Sequence, residues 1–209
     1  MISWFAITTT GSFTVMAPAG MAITAWLALN RAWRLVMWWI LLFIGGMGVV
    51  VATKIAFVGW GLGIRSLNFT GFSGHAMRAT AVAPVFFYML LEKSPRAYKI
   101  AGIIAGLAFG ILISYSRLVV HAHSVSEAVT GFFLGGTVAL VFIGIIDRYR
   151  LELNSWIIVL SVAVLLASPA IPPAPTQRWI TKTALYLSGH SSPYTRANWS
   201  KHSDSDLYR

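Results

Sequence analysis

LVMWWILLFIGGMGVVVA, residues 35–52, runs eighteen positions without a charged side chain. A helix of that length and composition has no polar face to turn to water, and it is long enough to cross the hydrocarbon core of a bilayer. The rest of the 209-residue chain shares this character. Hydrophobic residues make up 57% and charged residues only 11%, against about 25% charged in a soluble domain. Mean hydropathy is +0.71.

Working outward, no Lys, Arg, Asp or Glu precedes Arg31, and residues 10–29 make a first span containing Pro18, which a membrane helix tolerates. Arg31 and Arg34 form a short basic loop before the opening run. After it, Lys54, Gly59, Gly61, Gly63, Arg65 and Asn68 predict an irregular segment from Thr53 to Phe72. A third span is expected at 73–91 and a fourth at 100–116. Gly102, Gly106 and Gly110 form a ridge on the fourth that lets another helix approach closely. A fifth span follows at 128–146 and a sixth at 154–170, closed by Pro169, Pro172, Pro173 and Pro175. The expected fold is all-α, a polytopic membrane bundle of about six transmembrane helices. The division is a transmembrane domain over 1–175, with its motifs at 54–127, and a polar tail at 176–209, interfacial or partly disordered. No basic stretch precedes the first apolar run, so no cleavable signal peptide is expected.

The loops at 31–34, 93–99 and 147–152 hold seven Lys or Arg, which by the positive-inside rule lie in the cytoplasm. They alternate with the loops at 53–74 and 116–127, which therefore emerge together on the opposite face. The same count puts the tail there too. The net charge of +10 is spread between apolar runs and not gathered in one patch, so it reads as loop charge near anionic lipid headgroups, with no nucleic acid partner. Without cysteine, disulfides, thiolate metal sites and cysteine catalysis are excluded.

Both motif loops carry chemistry. In Ser116-Arg117-Leu-Val-Val-His121-Ala-His123-Ser-Val-Ser-Glu127, a helix beginning near Ser124 brings His123 and Glu127 onto one face. Glu127 then takes a hydrogen bond from one ring nitrogen and leaves the other aimed at a substrate, making His123 a nucleophile or base. His121 finds Val125 four residues on, so the carboxylate selects His123. A polar cap at the membrane interface is the plainer alternative, but a carboxylate near the membrane is costly without a task. Upstream, Ser73, Gly74 and His75 stand at a helix start, where free backbone N–H groups make an anion site. Ser73 adds a hydroxyl and His75 is placed as a general acid; an ordinary Ser cap with an interfacial His is the alternative. Lys54, Arg65 and Arg117 are cations on the same face, suited to a phosphate or to snorkelling. Arg78, one turn from His75, fits a structural role better than an anion contact. Ser188-Gly189-His190 repeats the triplet without a partner motif and reads as coincidence.

Ser-Gly-His followed about forty residues later by Ser-Arg-x5-His-x3-acid resembles the type 2 phosphatidic acid phosphatase superfamily of integral-membrane lipid phosphatases. Ser116, Arg117, His123 and Glu127 fit one motif, with Glu where Asp is commoner; Ser73, Gly74 and His75 fit another, with Phe72 at the usual Pro. The family's Lys-x6-Arg-Pro motif is departed from: seven residues after Lys54 stands Gly61, and the next Arg is Arg65, followed by Ser66. The resemblance covers about residues 35–146. It implies phosphoryl transfer without metal or other cofactor. His123 would form a phosphohistidine, Glu127 would orient it, and His75 would protonate the leaving group. Lys54, Ser73, Gly74 and Arg117 would hold the phosphate, with Arg65 as the candidate for the missing cation. The expected substrate is a membrane lipid bearing phosphate or diphosphate: phosphatidic acid, a polyprenyl diphosphate or a phosphorylated glycolipid. A lipid-to-lipid phosphotransferase and a non-catalytic lipid-phosphate binder are the alternatives. The short loops point to a bacterial inner membrane with a periplasmic site; no oligomeric state is set.

Overall fold

A computed structural model describes residues 3–149, 161, 163 and 175–199. Helices α1 (Trp4–Thr10), α2 (Phe13–Leu29), α3 (Trp33–Trp60), α4 (Gly74–Leu90), α5 (Arg96–Val119), α6 (Val125–Ile146) and α7 (Thr176–Ser188) make up the fold, with a single 3-10 turn at Arg65–Leu67. Among the described residues no strand forms beyond an isolated bridge between Ile64 and Phe69. The chain is a helical membrane bundle. The segments Trp4–Leu29, Trp33–Trp60, Arg96–Val119 and Val125–Ile146 are each long and apolar enough to cross a bilayer. The expected sixth span at 154–170 lies outside the described residues apart from 161 and 163.

α4 is the axis of the bundle. Fourteen of its 17 residues are buried, and the cause is glycine on both neighbours. Along α5, a Cβ added at Gly102 would meet the Phe87 backbone and Leu91, one at Gly106 the backbone of Pro84, and one at Gly110 the side chain of Thr80. The partner numbers fall as the glycine numbers rise, so α5 runs antiparallel to α4. The ridge expected at these three glycines is therefore a helix contact. On the other side, Gly131 of α6 lies over Ser73 and Ala76, and Gly135 over Met77 and Ala81; here the numbers rise together, so α6 runs parallel to α4. Pro84 stays inside α4, and its backbone is what Gly106 packs against.

The main core gathers Ile23, Trp26 and Leu27 of α2, Leu35 and Trp39 of α3, Val85, Phe86 and Met89 of α4, and Ala139, Phe142 and Ile146 of α6. The outer faces are apolar as well: Met37, Leu41, Ile44, Ile104, Ile111, Phe133 and Leu140 are exposed. In water such a surface would associate, whereas hydrocarbon solvates it.

Two elements differ from expectation. α3 does not stop at Ala52 but continues to Trp60, ending at Gly61 with φ of 68°. Gly59, which reads as a breaker, is instead a notch: a Cβ there would stand 3.2 Å from the Ala184 carbonyl oxygen and 3.3 Å from Ser188 Cβ. The element that needs the notch is α7, in the tail. That tail folds back along α3, tied by Tyr194 N–H to the Val58 carbonyl at 2.9 Å and by His190 Nδ1 to the Gly59 carbonyl at 2.7 Å. Trp199 meets Phe57 edge-on at 5.1 Å. The described tail thus lies at the end of the bundle that carries the motif loops.

Candidate active site

At that end of the bundle a cavity of about 790 Å³ opens among α3, α4, α5, the 116–127 loop and the tail. Lys54, Gly74, His75, Arg78, Arg117, His123, Glu127 and Arg196 line it. Its flank is apolar, with Val50, Val51 and Ile55 of α3 facing Trp179 and Ile180 of α7.

α6 begins with a Ser-x-x-Glu capping box. Ser124 Oγ accepts from the Glu127 N–H, and the Glu127 carboxylate accepts from the Ser124 N–H at 3.2 Å. That cap fixes the Glu127 side chain beside the preceding loop, where His123 Nδ1 donates to Oε2 at 2.7 Å. The imidazole is therefore held with Nε2 away from the carboxylate. Glu127 is 1% exposed and fully supplied with donors. Oε2 also accepts from Arg196 Nη2 at 2.6 Å, while Oε1 takes the Thr70 N–H at 2.8 Å and the Thr70 hydroxyl. A buried charge is tolerated only when so paired. Burial pushes His123 below its ordinary pKa, with the hydrogen bond to Glu127 acting in the opposite sense. His121, at φ of 53°, is exposed and takes no part.

The start of α4 supplies the second face. Ser73 caps the helix, its hydroxyl accepting from the Ala76 N–H, and its own N–H donates to the Glu127 carbonyl at 3.0 Å. These bonds join the two motifs and leave Gly74 and His75 on the cavity wall. The loop before α4 reaches Lys54 through Gly71, whose φ of 140° and 3.2 Å approach to the Lys54 backbone nitrogen admit no side chain.

Lys54, Arg78 and Arg117 bring three positive charges to this wall, and no described carboxylate stands within 4 Å of any of them. Arg117 Nη1 donates to Thr8 Oγ1 at 2.8 Å. The Nε of Arg117 and of Arg78 are buried without a partner among the described residues. Buried guanidinium donors without a partner among the described residues favour an anion with several oxygens.

Two expected phosphate ligands do not reach the cavity. Ser73 is fully buried behind the wall as a helix cap. Arg65 sits with its guanidinium 5.5 Å over the Trp199 ring, held there by the tail. Arg78 was assigned a structural role from the sequence, and it lines the cavity instead. Thr70 and Arg196 were not anticipated. Neither lies at a helical spacing from Glu127, so no local pattern marks them.

The profile of the PAP2 superfamily matches residues 57–150. An uncharacterized 22.5 kDa protein of the cps region of Klebsiella pneumoniae is 35% identical over 206 residues, covering 96% of this chain and 99% of that protein. Phosphatidylglycerophosphatase B of Bacillus subtilis (strain 168) is 34% identical over 79 residues, 34% of this chain and 36% of its own. No solved structure matches. The chain belongs to the PAP2 superfamily, a superfamily of lipid phosphatases.

Proposed function

We propose that the protein is a lipid phosphatase that removes phosphate from a phosphate or diphosphate ester of a membrane lipid through a phosphohistidine, without a metal ion. One observation carries the reading: a carboxylate-held imidazole and a second histidine at a helix start share a cavity with three cations that lack carboxylate partners among the described residues. Nε2 of His123 attacks phosphorus while Nδ1–H stays on Glu127. The bond from phosphorus to the lipid oxygen breaks, and His75 gives that oxygen its proton. Water then attacks the phosphohistidine, His75 takes its proton, and orthophosphate leaves with His123 restored. Lys54, Arg78, Arg117 and the backbone at Gly74 hold the phosphate oxygens; charge stabilisation and positioning are what such a transfer needs. Ser73 serves through the helix it caps.

The apolar flank between α3 and α7 suits a substrate whose chain remains in the bilayer, such as phosphatidic acid, a polyprenyl diphosphate or a phosphorylated glycolipid. The favoured setting is a bacterial inner membrane with the cavity on the periplasmic side. The test is phosphate release by purified protein in detergent, with EDTA, from phosphatidic acid, undecaprenyl diphosphate and phosphorylated lipid A. Release from one of them, accompanied by an acid-labile and base-stable protein label and lost in His123→Ala, is the expected result. Turnover that survives in His123→Ala, or that EDTA abolishes, overturns the mechanism.

A further inference from the structure

Arg196 stands in the tail, 69 residues beyond Glu127 in the chain and outside the stretch matched by the superfamily profile. Its guanidinium nonetheless reaches the oxygen that holds the imidazole. Glu127 Oε2 accepts from His123 Nδ1 at 2.7 Å and from Arg196 Nη2 at 2.6 Å. Glu127 is the only carboxylate among the described residues lining the cavity. The arginine side chain is 38% exposed, but the backbone that carries it is fixed. It opens a helical turn at 196–199, where Thr195 N–H donates to Asn198 Oδ1 at 2.6 Å and Asn198 N–H to Thr195 Oγ1 at 3.3 Å. The Tyr194 and His190 bonds to α3 anchor the stretch just before that turn, and Trp199 against Phe57 closes it.

We propose that Arg196 is a positioning residue for the reaction: the C-terminal tail orients the Glu127 carboxylate and, through it, the His123 imidazole, so that the bundle alone does not complete the site. This rests on the reading of His123 as nucleophile. A buried carboxylate with one fewer donor can turn away from the imidazole or take up a proton, and either change misorients Nε2. Arg196 also offsets the carboxylate's negative charge beside the ring. The other charged or titratable groups lining the cavity with the pair are Lys54 of α3, His75 and Arg78 of α4, Arg117 of α5 and Tyr194 of the tail. Loss of Arg196 removes a positive charge from beside the ionised carboxylate and the ring, which favours the imidazolium and displaces the acidic limb of the rate profile to higher pH.

The experiment separates positioning from mere docking of the tail. The chain has no cysteine, and a Cβ at Gly59 would lie 3.3 Å from Ser188 Cβ, a few tenths of an ångström short of the disulfide range of about 3.5–4.5 Å, so a small outward shift of α7 admits the bond. The pair Gly59→Cys and Ser188→Cys, oxidised, locks α7 to α3. Arg196→Gln and Arg196→Lys are assayed with and without this lock, beside wild type and His123→Ala. The expected result is a fall in kcat of tenfold or more in Arg196→Gln, little change in KM, and an acidic limb displaced upward. The loss persists under the lock, and Arg196→Lys recovers most of the rate. Recovery of wild-type rate by locked Arg196→Gln overturns the proposal, since the arginine then only docks the tail; so does an unmoved acidic limb. A wild type without turnover, or an active His123→Ala, fails earlier and overturns the reading of His123 and this proposal with it.

Discussion

Glu127 divides its two oxygens among five donors from three separate parts of the chain. Two of those partnerships are written in local spacing, the Ser124 capping box three residues away and His123 four residues away. His123 and Glu127 are four apart across a helix start, so their meeting is legible in the sequence. Thr70 and Arg196 reach the same carboxylate across 57 and 69 residues, and no period or motif reports contacts of that kind. Substituting Glu127→Gln keeps the volume but puts an amide where an ionised acceptor stood. Turnover is expected to fall at least about a hundredfold, as for other carboxylate-oriented histidines. The midpoint of thermal unfolding also falls, because the capping box and the Arg196 pair are weakened together. An unchanged turnover in detergent would remove Glu127 from the mechanism. Burial also sets a direction for the imidazole: below its folded pKa it must charge inside a wall already rich in cations. His123 therefore titrates below the ordinary value of about 6.5, and whatever stability the neutral ring contributes is lost as pH falls through that lowered midpoint. Nitrogen NMR of histidine-labelled protein, with the signal assigned by its disappearance in His123→Gln, measures this; a midpoint above about 6.5 would contradict it.

Among the elements, glycine is the residue whose reading matters most, because the sequence does not say whether a glycine breaks a helix or admits a neighbour. The four-residue repeat of Gly102, Gly106 and Gly110 is legible as a ridge, since a periodic stripe of small residues points to a helix contact. Gly59 has no such period. Its neighbours Gly61 and Gly63 suggest irregular chain, yet it serves as the notch for α7. The distinction predicts opposite outcomes on one bundle. Gly106→Val drives a side chain into the backbone of Pro84 and costs about 3 kcal/mol or more, the upper end for overpacking. Gly144→Ala meets nothing within 4 Å and stays within about 0.5 kcal/mol of wild type. Unfolding in detergent, followed by heat or denaturant, compares the two, and equal stabilities would mean that α5 does not press on α4 at that point.

For the whole molecule, the alternation of basic loops with motif loops predicts an orientation before any contact is known, and the structure brings both motif loops and the described tail to one end of the bundle. What the alternation cannot give is the tail's part in the site, because loop charge reports a side of the membrane and not a docking surface. The absence of cysteine makes orientation simple to measure. Single cysteines at Leu62, His121 and Tyr186 are expected to react with a membrane-impermeant maleimide in intact cells, and those at Arg34 and Lys93 only after permeabilisation. Labelling of the tail position with the second group would separate α7 from the motif loops. The wedging of α4 between two helices that follow it in the chain bears on biogenesis. When α4 leaves the ribosome, α2 and α3 are its only finished neighbours, and the glycine ridges that will cover it have not been synthesised. A 17-residue segment carrying His75 and Arg78 partitions poorly into lipid by itself. Its stable entry into the bilayer is expected to depend on α5 and α6, so that a chain truncated after α4 inserts that helix less completely than the full chain does.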